Sequence, residues 1–138
     1  MFASLMSFCA LLSTAVLPVP ATTVDQPQLT AVEASVIAHT NAQRVRNGLP
    51  ALQVDMKLVT TARKHAVWMT NHHSMVHGNY GVAENIAAGQ PTAGSVVNTW
   101  MNSSGHRANI LNRGHRRIGV AAYRQPNGQI YWCQQFQN

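Results

Sequence analysis

The spacing of apolar residues changes along this chain from a helical period to a period of two, and this change constrains the fold most. One stripe has helical intervals of four, four and three residues and consists of Leu58, Ala62, Ala66 and Met69. Residues 117–123 and 130–136 instead alternate in the manner of strands. Because Pro126-Asn127-Gly128 is a strong turn signal, these two segments are predicted to form a hairpin. We therefore predict one α+β domain, with helices packed on a small antiparallel sheet.

Capping signals define the first predicted helix. Thr30 and Glu33 form a capping box, in which each side chain can bond to the backbone amide of the other residue. Gly48 suits a left-handed stop, so the helix is predicted to end near residue 47. Asn41 and Arg44 share one face of this helix, and Asn41 either faces solvent or hydrogen-bonds a neighbouring loop.

Two further helices and one short helical segment are predicted. Asp55 can cap a second helix that fades near residue 73. Thr92 opens a third helix, and residues 105–111 add one or two turns. The intervening glycine-containing segment, residues 74–91, is predicted to be irregular.

Four aromatic or imidazole side chains receive structural interpretations. Trp68 and Trp100 lie at helical positions, and we expect both in the core. His72 and His73 are adjacent, so their side chains diverge, and we expect them to mark a solvated helix end.

The first residues of the 138-residue chain have the pattern of a secretory signal peptide. Residues 1–21 contain no charged side chain, include a short apolar run and end in the small residue Ala21. We predict a signal peptide at 1–21, a polar leader at 22–29 and one domain at 30–138. The apolar run is too short for a comfortable membrane span, so we expect a secreted chain with no transmembrane span after cleavage. Cleavage would remove Cys9 and leave Cys133, which we expect to be a buried thiol.

The charge balance favours anionic partners. The formal net charge is +6, and the isoelectric point is near 10.2. A basic cluster is formed by Arg107, Arg113, Arg116 and Arg117, together with His106 and His115. This cluster either grips phosphates or acidic polymers or simply solubilises an exposed loop and strand edge. No aromatic residue interleaves with its arginines, so we expect no specific nucleic-acid partner.

Three polar residues are candidates for a metal site. His77 and Glu84 lie seven residues apart in the glycine-containing segment, and His106 lies in Gly105-His106-Arg107. Two imidazoles could bind Zn²⁺ and leave a position open for water, which a nearby carboxylate could activate. Their spacing alone favours solvated loop residues instead. Ser103 and His106 are too close in sequence to favour a nucleophile and its base, so Ser103 is expected at a helix-end turn.

The order of several short motifs resembles the CAP superfamily, which contains cysteine-rich secretory proteins, antigen 5 and plant pathogenesis-related 1 proteins. The resemblance covers nearly all of residues 34–136 and is closest to the short bacterial members. The matching segments are His39-Thr40-Asn41-Ala42-Gln43-Arg44, Leu49 to Asp55, Leu58 to Ala66, His77, Ala83-Glu84-Asn85-Ile86, Trp100, Gly105 to Leu111, Ile118-Gly119-Val120 and Tyr131 to Phe136.

The resemblance implies an α–β–α sandwich whose central cavity is lined by two His and two Glu, the His pair holding a divalent metal. The matching positions here are His77 and His106 as metal ligands and Glu84 as a pocket residue. The second Glu of the family falls at Ser103, so this chain lacks one carboxylate of the pocket.

Three functions follow from the residues and the resemblance. The first is a secreted, monomeric, non-catalytic module that binds a small ligand, with a sterol or another lipid among the candidates, beside a Zn²⁺-capable pocket. The second is a metal-dependent hydrolase in which Glu84 activates a Zn²⁺-bound water. The third is a basic module that adheres to anionic cell-wall or membrane polymers. The missing second Glu argues against the hydrolase.

Overall fold

A computed structural model describes residues 28–138, so the predicted signal peptide and residues 22–27 of the leader lie outside the described part. The helices there are α1 (Ala31–Arg46), α2 (Met56–His72), α3 (Ala93–Met101) and α4 (Ser104–Ile110). The strands are β1 (Gln53–Val54), β2 (Ala83–Ala88), β3 (Arg117–Arg124) and β4 (Ile130–Gln137). None of the helices among these residues is both long and apolar enough to cross a membrane.

The helix ends follow the capping signals of the sequence. The Thr30 hydroxyl accepts from the Glu33 amide, and the Glu33 carboxylate accepts from the Thr30 amide at 2.8 Å. Asp55 caps α2 through the amide of Lys57 at 2.8 Å. α2 ends at His73, which adopts a left-handed conformation with φ of 48°. These local predictions are confirmed.

The sheet has the strand order β1-β3-β4-β2. β4 pairs antiparallel with both β3 and β2, while β1 pairs parallel with β3. The sheet is therefore mixed and not purely antiparallel as predicted. The prediction that residues 74–91 are irregular is wrong for β2, whose central residues are buried on both faces. A strand buried on both faces has no alternation of apolar and polar residues, so its sequence carries no period of two.

Helices cover both faces of the sheet, which confirms the α–β–α sandwich that the resemblance implies. α2 packs on one face, and its apolar stripe contacts Tyr131 and Cys133 of β4. α1, α3 and α4 cover the other face, where Trp100 is fully buried beside Trp132. Trp68 does not join either core. Its side chain is 40% exposed, so its predicted core position is wrong.

Close contact between α2 and the sheet depends on Gly119 of β3. A Cβ atom at this position would collide with the backbone of Leu58 and Val59 in α2. The backbone of the helix therefore lies directly over the strand at a point where no side chain fits. Gly119 is also the register partner of Gln135 on β4.

A fully buried guanidinium holds the end of α1 to the loop that follows α4. Arg44 has no exposed surface and donates only to backbone carbonyls. The acceptors, at distances of 2.8–3.4 Å, are those of Pro50, Ile110, Asn112 and His115. Asn41 exchanges two hydrogen bonds with the backbone of Leu52, so of its two predicted roles the structure selects the contact with a neighbouring loop.

Candidate functional site

The candidate site is organised by the carboxylate of Glu84, which is only 8% exposed on β2. Its Oε1 atom accepts hydrogen bonds from the Gly78 amide and from His77 Nδ1, each at 2.9 Å. Its Oε2 atom accepts from Gln135 Nε2 at 2.9 Å, and the Cys133 sulfur lies 3.6 Å away. Both oxygens are therefore engaged by protein donors.

The protonation state of Glu84 follows from these contacts. Burial by itself raises the pKa of this carboxyl group, but the hydrogen bonds from Gln135, Gly78 and His77 and the nearby charge of His65 lower the pKa overall. Glu84 is therefore ionised at neutral pH. Because a carboxylate can only accept, the Nδ1 atom of His77 must carry the proton in this hydrogen bond. The Nε2 atom of neutral His77 is then left with a free lone pair.

His106 lies on α4 and is held in a similar manner by a different partner. Its Nδ1 atom shares a hydrogen bond of 2.9 Å with the hydroxyl of Ser103. Burial lowers the pKa of His106, and the charge of His77 lowers it further. His106 therefore favours the neutral form.

Buried amides fix α4, and with it His106, against β2. Asn109 donates to Asn85 Oδ1 at 2.9 Å, and Asn85 donates to the His106 carbonyl at 3.1 Å. Asn85 also donates to Gln134, which in turn donates to Thr40 of α1. This chain of hydrogen bonds runs from α4 through β2 and β4 to α1.

The donor set fits a divalent cation with two protein ligands. An oxygen engages the Nδ1 atom of both His77 and His106, which is how metal-binding imidazoles are commonly oriented. Nε2 of each ring is the atom available to a metal. Within residues 28–138, no group of three or more His, Cys, Asp or Glu side chains is arranged to hold a metal ion. Water or a bound ligand would have to complete the coordination.

Two residues near Glu84 were not singled out from the sequence. His65 of α2 is buried, with its Nε2 atom 2.7 Å from the Val76 carbonyl and 3.7 Å from Glu84 Oε1. Gln135 is fully buried and is the partner of Glu84 Oε2. Gln135 did carry a signal in the sequence, since a buried amide in a strand requires a polar partner.

The thiol of Cys133 is buried, as predicted. Burial raises the pKa of Cys133 well above its usual range, and the charge of Glu84 raises it further. The group therefore stays protonated and contributes no nucleophile to the site.

An exposed aromatic groove lies next to His77. The cavity has a volume of about 290 Å³ and is bordered by Trp68, Val76 and Tyr80. Trp68 stacks on the ring of His65 at 5.9 Å and on that of His72 at 4.3 Å. This groove provides apolar surface beside His77, where a ligand could contact both the groove and this imidazole.

Only part of the predicted basic cluster is exposed. Arg107, Arg113 and Arg116 are exposed. Arg117 instead pairs with Asp55 at 3.1 Å, and His115 is buried against Phe136 with ring centroids 5.3 Å apart. Only the three exposed arginines are free to meet a partner.

The central sheet and the helices on its two faces define the class of this protein as an α–β–α sandwich. The profile of the Cysteine-rich secretory protein family, CAP, matches residues 37–136. The chain belongs to this family, as the sequence resemblance indicated.

Two solved structures and one sequence relative illustrate the similarity. The Bacillus subtilis (strain 168) protein YkwD is 39% identical over 133 aligned residues, covering 83% of this chain and 51% of YkwD. This chain therefore spans about half the length of that relative. An extracellular protein containing an SCP domain from Bacillus anthracis is 25% identical, with a TM-score of 0.68 over 80% of this chain and 44% of its own. An outer surface protein of Borrelia burgdorferi, 19% identical, has the same fold with a TM-score of 0.66 over 75% and 90% of the two chains.

Proposed function

We propose that this CAP domain is an exported, non-catalytic binding module in which His77 and His106 hold a divalent cation beside a ligand groove. The cation that we propose is Zn²⁺. The observation that carries the proposal is the saturation of Glu84, whose two oxygens accept from Gly78, His77 and Gln135. A carboxylate bound in this way orients an imidazole but has no free oxygen turned toward water.

The hydrolase alternative requires a general base that this arrangement does not favour. The lowered pKa of Glu84 makes it a weak base at neutral pH. The second carboxylate of the family pocket is replaced by Ser103, whose hydroxyl is engaged with His106. These two features support binding over hydrolysis.

Zn²⁺ suits the pocket chemically because neutral imidazole is one of its preferred ligands. When bound, the cation would supply a Lewis-acidic position for an oxygen or nitrogen atom of a ligand. With only two protein ligands, we expect an affinity of micromolar or weaker, about 8 kcal/mol or less. The apolar part of the same ligand would lie against Trp68 and Tyr80. A cavity of about 290 Å³ has room for part of a sterol or lipid, or for a smaller molecule.

Export is supported by the uncharged segment at 1–21 and by similarity to an extracellular protein of Bacillus anthracis. N-terminal sequencing of the protein recovered from the medium should start at or within a few residues of Thr22. Recovery of soluble protein with an intact Met1 would contradict export.

Calorimetric titration of Zn²⁺ tests the pocket. We expect binding by the wild type and no measurable binding by His77→Ala or His106→Ala, whereas His72→Ala should bind as the wild type does. All four proteins should unfold at nearly the same temperature, because His77 is largely exposed and the core does not depend on the metal. Unchanged affinity in both site variants would reject the imidazole pair as the cation site.

The pH dependence of binding follows from the imidazoles. Protons compete with Zn²⁺ for Nε2, so affinity is full when both rings are neutral and falls as the pH decreases. Because the pKa of His106 lies below its ordinary value of 6.5, this ring should remain available to the metal at lower pH than a solvated histidine. Zinc titrations between about pH 5 and 8 should show the loss at the acidic end.

A further inference from the structure

The described residues carry no free negative side chain. Glu33 pairs with Arg63 at 2.6 Å, and Asp55 pairs with Arg117 at 3.1 Å. Glu84, the third acidic residue in this part of the chain, is buried and hydrogen-bonded within the site. Every carboxylate side chain between residues 28 and 138 is thus neutralised or satisfied internally.

The positive side chains are distributed differently. Of the ten Lys and Arg residues, Arg44 is buried and two are in the ion pairs above. The remaining seven are exposed and have no carboxylate partner within residues 28–138. They are Arg46, Lys57, Lys64, Arg107, Arg113, Arg116 and Arg124. The surface therefore presents cations without compensating anions.

Positive charge is concentrated where the arginine loop, residues 111–116, wraps around Arg44. The loop directs the carbonyls of Asn112 and His115 inward to the buried guanidinium. Arg116 donates to the same carbonyl of His115. Burial lowers the pKa of Arg44, and the charge of Arg116 lowers it further. No acidic side chain of residues 28–138 pairs with Arg44 or Arg116, and an anion bound outside the loop would relieve the repulsion between them.

The chemistry of this surface excludes two kinds of partner. None of the exposed large apolar side chains lies between residues 102 and 117, so the surface has no anchor to insert into a bilayer. The same stretch contains no aromatic residue on which a nucleobase could stack. What it offers is guanidinium groups, which bind phosphate with directional hydrogen bonds.

We propose that Arg107 of α4 and Arg113 and Arg116 of the arginine loop form a docking surface for the phosphate groups of a flexible linear polyanion. The buried charge of Arg44 contributes from beneath the loop. His77 is not part of this surface, so His77→Ala should bind the polyanion as the wild type does.

Fluorescence anisotropy with labelled inorganic polyphosphate tests the proposal. The variant Arg107→Gln/Arg113→Gln/Arg116→Gln should bind about tenfold more weakly or worse at ~0.1 M salt, and the slope of log affinity against log salt should decrease by about 2 to 3. The matched control is Lys57→Gln/Lys64→Gln/Arg124→Gln, which removes the same net charge from other exposed positions. It should retain affinity within about twofold and keep most of the salt slope.

Equal losses in the two triple variants would overturn the proposal, because binding would then follow net charge alone. Arg116 also donates to backbone carbonyls of the loop, so thermal unfolding of each variant accompanies the measurement. If the triple variant does not fold, the single variant Arg113→Gln replaces it, because the side chain of Arg113 is exposed. An unchanged affinity of Arg113→Gln for polyphosphate would contradict the proposed surface. Tighter binding to single-stranded oligonucleotides or to phosphatidylglycerol vesicles through the same arginines would also reject a flexible phosphate polymer as the partner.

Discussion

Glu84 and Arg44 are both buried charges, but they are satisfied in different ways. The partners of Glu84 include the side chains of Gln135 and His77, and His77 is 59% exposed at the surface. The partners of Arg44 are four backbone carbonyls, and no part of its side chain reaches solvent. The charge of Glu84 is therefore in contact with an imidazole at the surface, whereas that of Arg44 is surrounded by peptide carbonyls.

Glu84 therefore contributes to the candidate site, whereas Arg44 stabilises the fold. A guanidinium bound to carbonyls from three segments determines where those segments lie, and it stays charged at every accessible pH. A carboxylate bound to an imidazole determines the tautomer of that ring and responds to acid. We expect substitutions of the two residues to differ accordingly in size and in pH dependence.

The largest effect should come from Arg44→Met, which keeps much of the side-chain volume but removes all donors. The carbonyls of Pro50, Ile110 and Asn112 would lose the guanidinium, and the carbonyl of His115 would keep only Arg116 as a donor. We expect the free energy of unfolding to fall by about 4 kcal/mol or more. Urea denaturation measures this loss, which should be nearly independent of pH. A loss below about 1 kcal/mol would mean that water replaces the guanidinium and that the loop does not depend on Arg44.

Glu84→Gln should have a smaller effect that depends on pH. The pKa of Glu84 in the folded protein lies below the reference value of 4.5, so its ionised form stabilises the fold above that pH. We expect a loss of about 2 kcal/mol at neutral pH, because charge-assisted hydrogen bonds become neutral ones. As the pH falls through the folded pKa, the wild type loses this contribution and the difference between the two proteins shrinks.

Denaturation of both proteins at several values between about pH 3 and 7 checks this sign. Glu33→Gln is a useful comparison, because the pKa of Glu33 is also lowered. The hydrogen-bond partners of Glu33 are Arg63 and Thr30, so no imidazole is involved. Both variants should lose stability at neutral pH, but only Glu84→Gln should also weaken Zn²⁺ binding. A constant difference between wild type and Glu84→Gln across the pH range would show that the carboxylate is not linked to folding.

The smallest effect on stability should come from His77→Ala. The ring is more than half exposed, and removing it leaves the other three donors to Glu84 in place. We expect a loss of less than about 1 kcal/mol in unfolding experiments. A larger loss would indicate that His77 supports the fold and would make it comparable with Arg44.

Local signals predicted the parts of the fold that local interactions determine. The capping box of Thr30 and Glu33 and the turn at residues 126–128 are contacts between near neighbours, so the sequence contains both partners side by side. β1 has only two residues and exists because β3 pairs with it, which no local pattern reveals. Trp68 could have been placed correctly, since it lies off the helical stripe that includes Ala66 and Met69.

The site was only partly accessible to the same reasoning. The family resemblance selected His77, Glu84 and His106, but the donors to Glu84 come from two separate segments of the chain, the loop with His77 and Gly78 and the strand with Gln135. The role of Gln135 depends on which strand lies beside β4. Pairings between distant segments set such contacts, and hydrophobic periodicity carries no information about them.

Because Gly119 has no side chain, α2 lies close to β3. This short distance also affects the hydrogen bonds of the Glu84 carboxylate. Thr61 of α2 donates to Gln135 Oε1, and the amide of the same Gln135 donates to Glu84. Both hydrogen bonds form only if α2 and β3 are as close as they are with a glycine at position 119. One methyl group added on the α2 side of β3 would therefore loosen a contact to Glu84 without touching either imidazole.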